Sequence, residues 1–93
     1  MNEILMKSFL SIAKDRVIEW VELQGQVSNK DAVDVDVMDW REGHGQAALK
    51  YDAEPFENYV FYVRFDDGGI STSVFDIKHD KYITRGWNGK DKL

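Results

Sequence analysis

The spacing of apolar residues changes once along this chain, at Gly25, and that change constrains the fold more than any other feature. From Asn2 to Gln24, Met6, Phe9, Leu10, Ala13, Val17, Trp20 and Val21 recur at steps of three and four, with Leu5, Ile12 and Leu23 widening the stripe. That is the period of one long amphipathic helix over about residues 2–24. Asn2 supplies a cap and Gly25 a left-handed terminator. A helix of roughly 22 residues is on the order of 33 Å long, enough to lie across a small sheet. Beyond Gly25 the apolar residues come instead in short runs separated by turn residues, which is the pattern of strands.

Val33-Asp34-Val35-Asp36-Val37 alternates strictly, with valines expected toward the core and aspartates toward water. The phase then changes at Met38 and Trp40, which fall on the aspartate side of the pleat unless a bulge intervenes. Strands are expected at about 32–41, 46–51, 59–65, 70–77 and 82–87. Turns fall at Glu42-Gly43-His44-Gly45, at Asp66-Asp67-Gly68-Gly69 and at Lys78-His79-Asp80-Lys81, and an acidic loop from Asp52 to Asn58 holds the only proline, Pro55. The charged Lys90-Asp91-Lys92 tail marks fraying. The run from Tyr59 to Phe65 is β-branched or aromatic at six of seven positions and reads as a central strand. The expected architecture is α+β: one long N-terminal helix packed on one face of a four- to five-stranded antiparallel meander sheet, forming a single domain over residues 1–93.

Such a fold leaves one sheet face without a cover. Tyr62 and Arg64 belong to the more polar side of their strand and are assigned to that open face, and phase continuity places Trp40, Phe75 and Trp87 beside them. Exposed aromatics next to charges have the composition of protein-binding hot spots.

Charge is distributed unevenly. Residues 31–57 contain eight acidic residues, Asp31, Asp34, Asp36, Asp39, Glu42, Asp52, Glu54 and Glu57, against only Arg41 and Lys50, whereas the flanking stretches are close to balance. The net charge of -5 is therefore local. A concentrated acidic field attracts basic surfaces and repels phosphate, so direct nucleic-acid binding is disfavoured. The absence of cysteine fits a reducing, cytoplasmic setting and removes thiolate chemistry, and charges interrupt every apolar run before it reaches export-signal or membrane-span length.

Nothing in the sequence has the form of a catalytic or metal motif. Asp34, Asp36 and Asp39 miss the spacing of an EF-hand loop, which needs oxygens at alternate positions, a glycine at the sixth and a glutamate at the twelfth. Gly43-His44-Gly45 lacks the following helix that a phosphate loop requires. His79 has Asp76 and Asp80 nearby to orient its ring, but no nucleophile stands in a recognised context. No cofactor, metal or catalytic residue is expected.

The function expected is therefore that of a small acidic cytosolic protein that binds and inhibits a basic, nucleic-acid-handling protein such as a nuclease. Asp34, Asp36, Asp39, Trp40, Glu42, Glu54, Glu57 and Tyr62 are the candidate contacts. Alternate side chains on a strand are about 6.6 Å apart, close to the phosphate spacing of one nucleic-acid strand, so an aspartate row can imitate a backbone. In size, acidity and lack of catalytic motif the chain resembles phage-encoded anti-defence inhibitors, anti-CRISPR and anti-restriction proteins among them, and bacterial toxin immunity proteins. Two other readings are a homodimer or interaction subunit that uses the aromatic sheet face, and a ligand-binding protein or enzyme with a site between helix and sheet.

Overall fold

The computed structural model describes residues 3–67 and 69–89. Helix α1 spans Glu3–Leu23, a single 3₁₀ turn follows at Lys30–Ala32, and five strands complete the chain: β1 Val33–Arg41, β2 His44–Tyr51, β3 Tyr59–Asp66, β4 Gly69–Asp76 and β5 Lys81–Trp87. The strands lie in sequence order and every neighbouring pair is antiparallel. The helix on a meander sheet is the architecture expected from the change of period. Asn2, Gly68 and the 90–92 tail lie outside the described residues.

The helix ends as its sequence dictates. Gly25 adopts φ 83°, and the N–H groups of Gly25 and Gln26 donate to the carbonyls of Glu22 and Val21 at 2.9 and 3.4 Å. This Schellman pair satisfies carbonyls that the helix leaves open and turns the chain back toward the sheet. Phe9, Ala13, Val17, Trp20 and Val21 form the buried stripe, whereas Leu23 is exposed. The sheet answers with Leu49, Phe61, Val63 and Val74, all essentially inaccessible to solvent. Trp20 meets Phe56, Tyr59 and Phe61 edge-on at centroid distances of 5.4–5.9 Å, and its indole N–H donates to Thr84 Oγ1 at 3.0 Å.

The phase change in β1 is resolved by a bulge. Val35 stands opposite Leu49 and Val37 opposite Ala48, so Asp36 is the extra residue. Two residues on β1 then span one step on β2, and every later side chain exchanges faces. Val33 and Val35 stay on the helix side, but Val37, expected in the core, points out on the open face and is 63% exposed. Met38 and Trp40 move the other way. Trp40, expected beside Tyr62, instead stacks on Phe65 (6.1 Å between centroids, 4° between planes) and tilts against Phe9 at 5.6 Å. Gly45 lies opposite Trp40, and only the missing side chain leaves space for that ring.

Trp87 is likewise on the helix side rather than the open face. Register shifts on either side of Val74 bring it opposite the buried Thr72, and it is itself buried. Phe75 does lie on the open face, opposite Val60 and Tyr82. The first hairpin is tighter than expected, with only Glu42 and Gly43 between β1 and β2, at φ 50° and 83°. Both residues have positive φ, as a two-residue turn matching the twist of the strands requires. Among the described residues, no helix is long and apolar enough to cross a membrane.

Candidate functional site

The open face is built from residues in three rows across the sheet. Val37, Ala48, Tyr62 and Ser73 form the middle row. Toward the hairpin end lie Asp39, Gln46, Arg64 and Ser71; toward the other end lie Asp34 and Lys50, with Val60, Phe75 and Tyr82 on the later strands. The small side chains of Ala48, Ser71 and Ser73 leave a shallow groove of about 590 Å³, walled by Val37, Tyr62 and Tyr82. Tyr62 and Tyr82 are each 43% exposed. Tyr82 packs edge-on against Phe75 at 5.0 Å and receives the Arg85 guanidinium over its ring at 4.6 Å. An apolar centre with charged margins is the usual anatomy of a protein interface.

The acidic residues separate into two groups. At the hairpin end Asp39 pairs with Arg41 at 3.4 Å, Arg64 with Asp66 at 4.0 Å and His44 with Asp67 at 3.7 Å, and Glu42 is exposed at the tip. Acids and bases are interleaved there. At the opposite end Asp34, Asp36, Asp52 and Glu57 line a concavity of about 200 Å³ with Lys50 as its one basic side chain. Glu57 also borders the neighbouring groove of about 310 Å³, which contains Glu54, Asp76, Lys78 and His79. The acidic stretch of sequence is therefore not one patch but a mixed end and an acidic end. Asp39 shares the face of Asp34 only because the bulge at Asp36 shifts the phase, so the three aspartates do not form an evenly spaced row.

The proposed contacts are thus divided. Asp34, Asp36, Glu54 and Glu57 gather at the acidic end; Asp39 and Glu42 stand at the mixed end; Tyr62 occupies the middle of the open face; Trp40 lies on the helix side of the sheet, away from Tyr62 and Asp39. Sequence reading passed over Val37, Lys50, Asp52 and Tyr82 as site residues. Asp52 was legible in the same acidic stretch, and Val37 only through the position of the bulge.

His79 pairs with Asp76 and not Asp80. Its ring Nδ1 is 2.7 Å from Asp76 Oδ2, and its backbone N–H donates to Asp76 Oδ1 at 3.1 Å. Burial pushes the Asp76 carboxyl up, but the ring and backbone hydrogen bonds from His79, its charge and the Lys78 N–H together hold it below its ordinary value. The pair fixes the turn between β4 and β5. Among the described residues no three His, Cys, Asp or Glu side chains come together to hold a metal ion, so the acidic end is spread over a surface rather than closed into a cage.

Comparison with protein families, with curated proteins and with solved structures finds no match to this chain.

Proposed function

We propose that this chain is a small acidic binding protein that occupies the basic surface of a nucleic-acid-handling protein and so blocks its access to phosphate. The observation that carries the reading is the acidic end, where Asp34, Asp36, Asp52 and Glu57 surround a single lysine. A surface that neutralises phosphates does so with spread Lys and Arg side chains, and spread carboxylates are their complement. Carboxylates supplied by one strand and by the loop that follows its neighbour suit several basic groups at once, as an inhibitor of an extended phosphate track requires.

The test begins with affinity capture from the native host using the wild type and a variant carrying Asp34→Asn, Asp36→Asn and Glu57→Gln. A nuclease or other nucleic-acid-binding protein should be retained by the wild type at low salt, released by high salt, and lost with the triple variant. With that partner purified, the triple variant should associate about tenfold more slowly at low salt and with a flatter salt dependence. Asp39→Asn, which changes a carboxylate already paired with Arg41, should have a smaller effect. Association indifferent to salt, or equal loss with Asp39→Asn and the triple variant, would refute the electrostatic reading.

A further inference from the structure

We infer that the open face of the sheet is the interface of a two-fold dimer of this chain, with the symmetry axis running along β3. The inference rests on the apolar face and its charged margins and does not depend on the identity of any basic partner.

The centre of the face needs a cover. Val37, Ala48, Tyr62, Val60, Phe75 and Tyr82 form an apolar strip across all five strands, and three of these are more than a third exposed. Five strands are roughly 24 Å across and about 23 Å along, on the order of 550 Å² per copy and about 1,100 Å² in total. That is at the low end of specific protein interfaces, consistent with a weak but real dimer.

Charge selects the occupant and the orientation. The β1 margin of the face bears Asp34 and Asp39, whereas the β5 margin bears Arg85. Two copies packed face to face are related by an axis lying in the plane between them. An axis across the strands sets β1 over β1 and β5 over β5 with the ends exchanged, so that Asp34 meets Asp39 of the second copy, already held by Arg41, and Arg85 meets only a strand without an acidic residue. An axis along the strands sets β1 over β5 at the same height, so that Asp34, in the row of Tyr82, meets Arg85, whose guanidinium covers that ring. Only the second arrangement brings opposite charges together at the margins. Residues of β3 then face their own copies. Tyr62 does so at the centre, where the two grooves of about 590 Å³ receive the opposing rings. Arg64 does so as well, and its guanidinium must turn toward Asp66, 4.0 Å away in the same chain.

The same axis leaves both acidic ends at one end of the dimer. Salt screens the repulsion between them and the Asp34–Arg85 pairs alike, so dimerisation should change little with ionic strength, whereas capture of a basic partner should weaken. The two readings thus differ in their dependence on ionic strength.

Sedimentation equilibrium of the full chain tests the inference. The wild type should show a concentration-dependent mass approaching twice the monomer, and Tyr62→Arg should be monomeric with an unchanged circular dichroism spectrum. Asp34→Arg and Arg85→Asp should each weaken the dimer at least severalfold, and the double exchange should restore it. Because the chain has no cysteine, single Val60→Cys and Val37→Cys variants locate the axis. A short bismaleimide should couple Val60→Cys to its copy and leave Val37→Cys uncoupled. A wild type that stays monomeric at every concentration, a dimer that survives Tyr62→Arg, a double exchange that fails to rescue, or coupling at Val37→Cys would each overturn the proposal.

Discussion

Adding one methyl group at Gly45 tests the assignment of Trp40 to the helix side of the sheet. A β-carbon there would lie 2.7 Å from Cε3 and 2.9 Å from Cζ3 of Trp40, and 3.0 Å from Cε2 of Phe9. Ordinary carbon contacts are at about 3.5–4.0 Å, so a ring must move by roughly 1 Å. Trp40 has little freedom to do so, since Phe65 stacks on it and Phe9 tilts against it. Overpacking of this kind costs about 1–3 kcal/mol. Alanine returns about 0.4–1 kcal/mol by reducing the entropy of the unfolded chain. The net expectation for Gly45→Ala is a loss of about 1.5 kcal/mol, or a fall in Tm of about 6–12 °C for a domain of this size. Thermal and urea unfolding followed by circular dichroism measure it, and the comparison is repeated in a Trp40→Leu background. There the ring is gone, and the same methyl should be neutral or slightly stabilising. If Gly45→Ala melts with the wild type, or costs as much without the tryptophan, then Trp40 does not cover Gly45 and the face assignment is wrong.

Four further outcomes follow from the packing. Thr72 is fully buried and its hydroxyl has no hydrogen-bond partner, so Thr72→Val should raise stability by about 1 kcal/mol, read as a higher urea midpoint; a lower one would show the hydroxyl to be bonded. Trp20→Phe removes the 3.0 Å bond to Thr84 and should cost about 1–2 kcal/mol, with a smaller increment when Thr84 is already valine. The Asp76 carboxyl is held low in the folded chain, so the stability it contributes is present above the ordinary carboxylate range and is lost as pH falls through the folded value. Melting temperatures measured across pH should therefore show the wild type ahead of Asp76→Asn near neutrality, with the gap closing in acid; a gap independent of pH would contradict this. Deleting Asp36 should close the bulge without turning Met38 or Trp40, because Val37 already stands opposite the residue next to Val35's partner, so the urea midpoint should stay close to that of the wild type; a large fall would show that Asp36 is not the extra residue.

Much of the fold was legible because two periods do not mix. The helical stripe from Phe9 to Val21 and the alternation from Tyr59 to Phe65 each specify one element and one buried face, and both were placed correctly. The errors concern parity. Trp40 and Trp87 were assigned by counting residues along strands, and a count fails wherever one partner strand carries an extra residue. For β1 the sequence held the sign of that failure, since Val37 and Met38 are adjacent apolar residues within a run that alternates. For β5 it did not: the shifts beside Val74 arise from pairing with β4, and no local pattern in Tyr82-Ile83-Thr84-Arg85-Gly86 announces them. The candidate site was less legible still. Composition located the acids in sequence, but only the pairing of β1 with β2 and the path of the 52–58 loop decide that Asp34 shares a concavity with Glu57 while Asp39 faces Arg41.

The irregular pairings also have a location. β2 with β3 and β3 with β4 run without interruption, whereas β1 with β2 and β4 with β5, the two outermost pairings, contain every register shift in the sheet. An open five-stranded sheet ends in two rows of unused backbone groups, each able to recruit a strand from another chain and, through it, the next. A bulge at Asp36 on one margin, and on the other the shifts beside Val74 together with Gly86 at φ 65°, put both rows out of step with any regular strand laid against them. The protein can thus leave a sheet face without a helix over it while its margins stay out of step with the strands that would extend them into fibres.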